Sequence, residues 1–252
     1  KFNMLLLTSP DNPTGHIYSQ EKLQQIAEWC ITKRIHLVVN ELYGLSLIDT
    51  KHADIASDYS QHIEFESFAR IMNDKKSNYL HMIYGLSKDF GMSGFRVGFL
   101  YSLNESLMAA FENISAPHLV SNYAQWILSE VFQDKKFLTT FIKKNQKKLT
   151  ESYAIVSQSL KKMNIPFVPP HGSLFVWLDM SEFLEENTSQ GESTLWQSLF
   201  DDTGILLTPG IGFGHSKMGQ FRLVHPFVKK KVLKEAMKRL SEFVDARRIS
   251  SI

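Results

Sequence analysis

Apolar positions along the chain follow two rhythms, and their alternation already outlines a fold. Short unbroken apolar runs at residues 4–8, 35–39 and 79–86 have the length and texture of strands buried on both faces. Between the first two, Leu23, Ile26, Ala27, Cys30 and Ile31 fall on one face of a 3.6-residue period while Glu21, Lys22, Gln25 and Lys33 point away, which predicts an amphipathic helix. Strand, helix, strand in this order is the βαβ unit of a parallel sheet covered by helices. Residues 52–76 are more polar, with a weaker helical stretch around 65–72, and a fourth strand is predicted at 97–101.

Helices are predicted at 104–113 and 120–132, then a long one at 135–163 that is strongly polar along one side. Beyond it the texture changes. Short strands at 165–168, 173–178, 205–208 and 221–224 mix with helices at 192–203 and 230–247, the last presenting Leu233, Ala236, Met237, Leu240, Phe243 and Val244 on one face. The expectation is an α/β protein: a mostly parallel three-layer α/β/α portion over residues 1–145, followed by a smaller α+β domain over 146–252. There is no internal repeat and no low-complexity tract.

Composition adds boundaries. A chain of 252 residues that is 43% hydrophobic and 21% charged has ordinary globular make-up, and a net charge of +2 is too weak to argue for nucleic acid. Lysines cluster at Lys143, Lys144, Lys147 and Lys148 and again at 229–231, both in polar helical stretches that read as solvated faces. The single cysteine, Cys30, excludes an internal disulfide, suits a reducing compartment, and lies on the apolar side of its helix. No run approaches a membrane span, no signal peptide opens the chain, and no metal-ligand cluster stands out, so cytoplasm is the expected location. The chain does not begin with Met and enters a strand almost at once, from which a missing N-terminal part is expected.

In open parallel sheets, ligands bind beyond the carboxyl ends of the strands. The first strand is followed by Asn12-Pro13-Thr14-Gly15, the second by Asn40-Glu41-Leu42-Tyr43, and the third by Ser87-Lys88, with Arg96 eight residues after the lysine. Singly each has an ordinary explanation: Asn-Pro-Thr-Gly as turn chemistry, Lys88 as a surface lysine, Arg96 as an ion-pair partner. A sharp turn at Gly91 to Gly94, with the fourth strand returning antiparallel to the third, would carry Arg96 back beside Lys88.

In order and spacing these motifs, together with Phe221-Arg222-Leu223, resemble the fold-type I aminotransferases of class I/II. Lys88 to Gly98, the run from Gly172 to Met180 and Pro209-Gly210 place the resemblance nearest a 1-aminocyclopropane-1-carboxylate synthase-like branch. It covers nearly the whole chain. The resemblance implies pyridoxal 5'-phosphate as cofactor, amino-acid and 2-oxo-acid substrates, and a homodimer. It further implies that Lys88 forms a Schiff base with the cofactor and moves the substrate's α-proton, which calls for an electropositive, partly desolvated pocket to which Arg96 contributes. By the same correspondence Arg96 holds the phosphate, with Ser87 as a weak substitute for the family's phosphate-binding serine, Asn12 and Tyr43 bond the ring hydroxyl, Asn40 faces the ring nitrogen, and Arg222 binds the substrate carboxylate.

Two positions depart from the family pattern. Asn40 stands where relatives carry an aspartate that pairs with the protonated ring nitrogen. A neutral hydrogen bond contributes about 0.5–1.5 kcal/mol against about 1.5–3 for one to a charged group. Glu41 is no substitute, because neighbouring strand side chains point to opposite faces. Gly85 stands where many relatives have a phosphate-binding serine. Two alternatives therefore accompany the enzyme reading: a weak or inactive homologue with a binding or regulatory role, and an unrelated α/β binding module.

Overall fold

The computed structural model describes residues 2–250; Lys1, Ser251 and Ile252, at the ends of the two expected domains, lie outside the described residues. The chain divides into two compact units. One comprises residues 1–11, 17–47 and 63–145, the other 12–16, 48–62 and 146–252.

In the first unit, β1 (Met4–Thr8), β2 (His36–Asn40) and β3 (Leu80–Gly85) are parallel, and β4 (Gly98–Ser102) closes the sheet antiparallel to β3. The connection α1 (Gln20–Lys33) starts where the Ser19 side chain accepts from the Lys22 amide and stops at Arg34 in the left-handed region. It buries Leu23, Ala27 and Cys30 against Leu37, Val39 and Leu80, together with Phe68, Ile71 and Met72 of α2 (Phe68–Lys75). Helix α2 begins three residues later than the apolar periodicity suggests. Its N-cap is Ser67, and the Glu41 carboxylate accepts from the Phe68 amide at 2.5 Å and from Ser67 Oγ at 2.7 Å, so a buried anion sits on the helix N-terminus. The unit continues through a single turn, α3 (Leu86–Asp89), then α4 (Glu105–Ser115), α5 (Asn122–Gln133) and the start of α6 (Lys135–Lys162). Both lysine clusters are exposed.

The second unit holds an antiparallel sheet of β5 (Phe167–Val168), β6 (Phe175–Asp179), β7 (Thr208–Pro209) and β8 (Gln220–Val224), in the order β5-β6-β8-β7. Its core joins Val176, Leu178, Phe221 and Leu223 to Tyr153 and Leu160 of α6, Leu195 and Leu199 of α7 (Ser189–Thr203), and Leu240 and Val244 of α8 (Lys230–Ser250).

Three strands of this sheet are shorter than the apolar runs that predict them. Ile165 caps the end of α6, its amide bonding the Leu160 carbonyl; Ser173 sits at φ 70°; and 205–207 bond into α7, the Ile205 amide to Thr203 Oγ1 and the Leu207 carbonyl to Trp196 Nε1, with Leu206 exposed. Residues 12–16 and 48–62, assigned from sequence to the first portion, pack instead with the second. The Gly15 carbonyl accepts from the His171 and Gly172 amides, and Ile48 and Ile55 enter the core beside Tyr153. Among the described residues no helix is long and apolar enough to cross a membrane.

Candidate active site

The parallel register aligns Thr8 with Asn40 and Asn40 with Ile83, so β1 and β2 end together and β3 runs two residues further, to Gly85. From β3 the chain turns directly into α3, which carries Ser87 and Lys88. Gly98 pairs with Gly85, and the Leu86 amide bonds the Val97 carbonyl at 3.2 Å, which returns Arg96 to the end of β3 that bears the lysine. Lys88 and Arg96 are exposed and Ser87 is half-buried. Arg96 occupies the left-handed region at φ 56°, ψ 45°, with Nη1 donating to the Ser93 carbonyl at 3.0 Å. A long side chain held there costs about 1–3 kcal/mol, the kind of strain that clusters at ligand sites.

On the β2 side, Asn40 is half-buried and its Oδ1 accepts from the Leu42 amide at 3.1 Å. Tyr43, two residues after Glu41, is buried. Glu41 is occupied at the α2 N-terminus, as strand alternation predicts; it lines a cavity of about 410 Å³ together with Phe65, Met82, Tyr84 and Phe99. None of the sequence-derived site residues lines that cavity.

Asp89 was not singled out from sequence, although it follows Lys88 directly. It is 3% exposed and accepts from Ser46 Oγ at 2.6 Å, the Leu45 amide at 2.9 Å and the Tyr84 hydroxyl at 2.9 Å. It thereby ties the turn bearing the lysine to the segment after Tyr43. Burial raises its carboxyl above the usual carboxylate range, and the three hydrogen bonds offset this only in part. An acid whose pKa is raised on folding contributes stability that is complete below the unfolded value, about 3.9, and is lost as pH rises through the raised one. Wild-type protein should therefore lose stability relative to Asp89→Asn as pH climbs from about 4 toward neutrality. Urea unfolding of both across that range tests this; parallel curves would mean Asp89 titrates as in the unfolded chain.

The second unit holds the other two residues, and brings them into contact. Arg222 Nη1 donates to Asn12 Oδ1 at 2.9 Å and Nη2 to Thr208 Oγ1 at 3.3 Å, and the guanidinium lies 4.4 Å from the Phe175 ring centroid and 4.9 Å from that of Phe213. Thr208, Phe175 and Phe213 were missed from sequence; the register that sets Thr208 opposite Arg222 is not readable from spacing. Glu192, fully buried, accepts from the Ile211 and Gly219 amides and so clamps the segments that lead to Phe213 and into β8. The turn bearing Asn12 requires its glycine. Gly15 has φ +72°, and a Cβ there would lie 2.4 Å from Pro170 Cβ and 2.6 Å from the Gly172 carbonyl oxygen.

A family model described as aminotransferase class I and II matches residues 1–240. The chain belongs to this family. Among curated relatives, 1-aminocyclopropane-1-carboxylate synthase 7 of Arabidopsis thaliana is 32% identical over 248 residues, covering 97% of this chain and 53% of that protein. The synthase of Nicotiana tabacum is 29% identical, covering 98% and 49%. Among solved structures, a double mutant of the Thermus thermophilus aspartate aminotransferase superposes with a TM-score of 0.79 at 22% identity, over 95% of this chain and 56% of that one. An aminotransferase from Mycobacterium tuberculosis does so at 0.79 and 20%, over 97% and 58%. The fold is thus that of the aminotransferases, and the chain spans about half the length of the curated relatives it matches.

For a family whose expected cofactor is an aldehyde bearing a phosphate, the groups at the end of β3 fit. Lys88 presents an exposed amine, Arg96 a guanidinium suited to two charge-assisted bonds with phosphate, and Ser87 a hydroxyl. Gly85 adds nothing there: a Cβ would sit 2.9 Å from Leu42 Cδ2, so a serine requires that side chain to move.

Proposed function

We propose that this protein is a pyridoxal-phosphate-dependent enzyme that acts on an amino acid, either exchanging its amine with a 2-oxo acid or performing a related lyase reaction. The observation that carries the reading is the antiparallel return of β4 against β3, which brings Arg96 to the end of the strand that bears Lys88. Family membership supports it.

When bound, the cofactor supplies an electron sink for negative charge developing at the amino acid's α-carbon. The protein's own groups do the rest. The Lys88 amine holds the cofactor covalently and, once released, takes and returns the proton of the α-carbon. Arg96 binds the phosphate, Tyr43 and Asn12 the ring hydroxyl, Asn40 the ring nitrogen, and Arg222 the substrate carboxylate, each by its match to the family position, and the Ser87 hydroxyl compensates in part for the serine that Gly85 replaces. Asp89 keeps the lysine turn in place. By resemblance to the family, the working form is a homodimer.

Incubation with pyridoxal phosphate followed by gel filtration tests the proposal. The protein should elute with a visible cofactor absorbance band that shifts when an amino-acid donor is added. Elution without the band overturns the reading.

A further inference from the structure

We infer that Asn40 presents an N–H donor to the cofactor's pyridine nitrogen and so holds the ring unprotonated at that atom. The inference rests on the pyridoxal-phosphate reading of the site and deepens it.

Oδ1 of Asn40 accepts from the Leu42 backbone amide at 3.1 Å, and a backbone N–H can only donate. The orientation of the Asn40 amide therefore follows from chemistry and is not an arbitrary choice between two flips. The other end of the group is Nδ2, which carries two protons and has no acceptor capacity. An aspartate at this position, anchored by the same Leu42 amide, would place its second anionic oxygen where Asn40 has Nδ2. A pyridinium N–H needs such an acceptor. A neutral pyridine, with its lone pair free, needs a donor, and Nδ2 supplies one.

Neither buried carboxylate beside these loops restores the missing charge. Both oxygens of Glu41 are taken, by the Phe68 amide and by Ser67 Oγ, and strand alternation turns that side chain away from the face of Asn40. Both oxygens of Asp89 are taken as well, by Ser46 Oγ, the Leu45 amide and the Tyr84 hydroxyl. Tyr84, whose hydroxyl pKa burial and then Asp89 push up, stays neutral and donates. The ring then draws electrons less strongly than a pyridinium would, and the burden of stabilising charge at the α-carbon shifts to the lysine and to the groups that hold the substrate.

The test is nitrogen NMR of the protein loaded with pyridoxal phosphate labelled with 15N in the ring, a readout independent of turnover. In the wild type the ring signal should stay at the position of a hydrogen-bonded, unprotonated pyridine from about pH 6 to 8. Asn40→Asp, nearly isosteric, should move it upfield to the pyridinium position. Asn40→Ala, which removes the donor, should move it downfield toward a pyridine without a hydrogen bond. A pyridinium signal in the wild type overturns the inference, as does a signal that Asn40→Ala leaves unchanged. Wild-type protein that retains no labelled cofactor refutes the parent reading of the site, a result distinct from either of these.

Discussion

Lys88→Ala is expected to abolish covalent capture of pyridoxal phosphate. Borohydride reduction of the loaded wild type should leave one stable adduct on the peptide containing Lys88, visible as a mass increase, and the same peptide of the variant should carry none. The reason is both chemical and positional. A Schiff base needs an unprotonated primary amine at the cofactor aldehyde, and Lys88 offers an exposed amine on the first turn after β3, at the end of the strand to which Arg96 returns. The two lysine clusters, at 143–148 and 229–231, are exposed and serve as an internal control, since adventitious modification would label them alike in both proteins. Lys88→Arg separates the contributions: the cation is retained and the covalent bond is not. A wild-type adduct located anywhere but on Lys88 would refute the assignment.

Phe221→Ala is expected to cost about 3–5 kcal/mol of folding stability, the range for deleting a buried phenylalanine side chain. Phe221 is 0% exposed, sits in β8 between its pairings with Leu178 and Pro209, and belongs to the cluster that includes Tyr153, Leu195 and Leu240. Since a domain of this kind has a total stability of about 5–15 kcal/mol, the variant should unfold at a much lower urea concentration. The effect should extend to function, because the next residue along β8 is Arg222, whose guanidinium is positioned by Asn12, Thr208 and two aromatic rings. A loss below about 1 kcal/mol would show that the β8 core collapses around the missing ring and would contradict the packing argument.

Much of this molecule is legible in one dimension, and the reasons differ by element. The helices α1, α5 and α8 were foreseen because their apolar stripes repeat over three or more turns, and β1, β2 and β3 because apolar runs in a parallel sheet are unbroken. The candidate site residues came by a different route: Lys88 and Arg96 stand out by ordered spacing, and the antiparallel return of β4 was the condition under which a turn at Gly91 to Gly94 would bring the two together. Element ends were misjudged wherever a local hydrogen bond outweighed hydrophobicity. The Glu41 carboxylate at the start of α2, the capping bond at Ile165 and the left-handed Ser173 are all invisible to a periodicity count.

The order of hydrophobic positions was thus sufficient for the fold class and most of the element sequence, because these depend on contacts between residues near in sequence or on patterns that repeat, and the spacing of the motifs pointed to the lysine on which the proposed chemistry rests. Contacts between residues far apart in sequence decided the remainder. Asp89 acquired its partners only when residues 45–46 folded back on the lysine turn, Arg222 met Asn12 across an interval of 210 positions, and residues 12–16 and 48–62 joined the second unit through the Gly15 carbonyl and the Tyr153 core. The donor character of Asn40 belongs to both levels: its identity is written in the chain, but which end of its amide faces outward depends on the Leu42 amide that the β2 turn delivers.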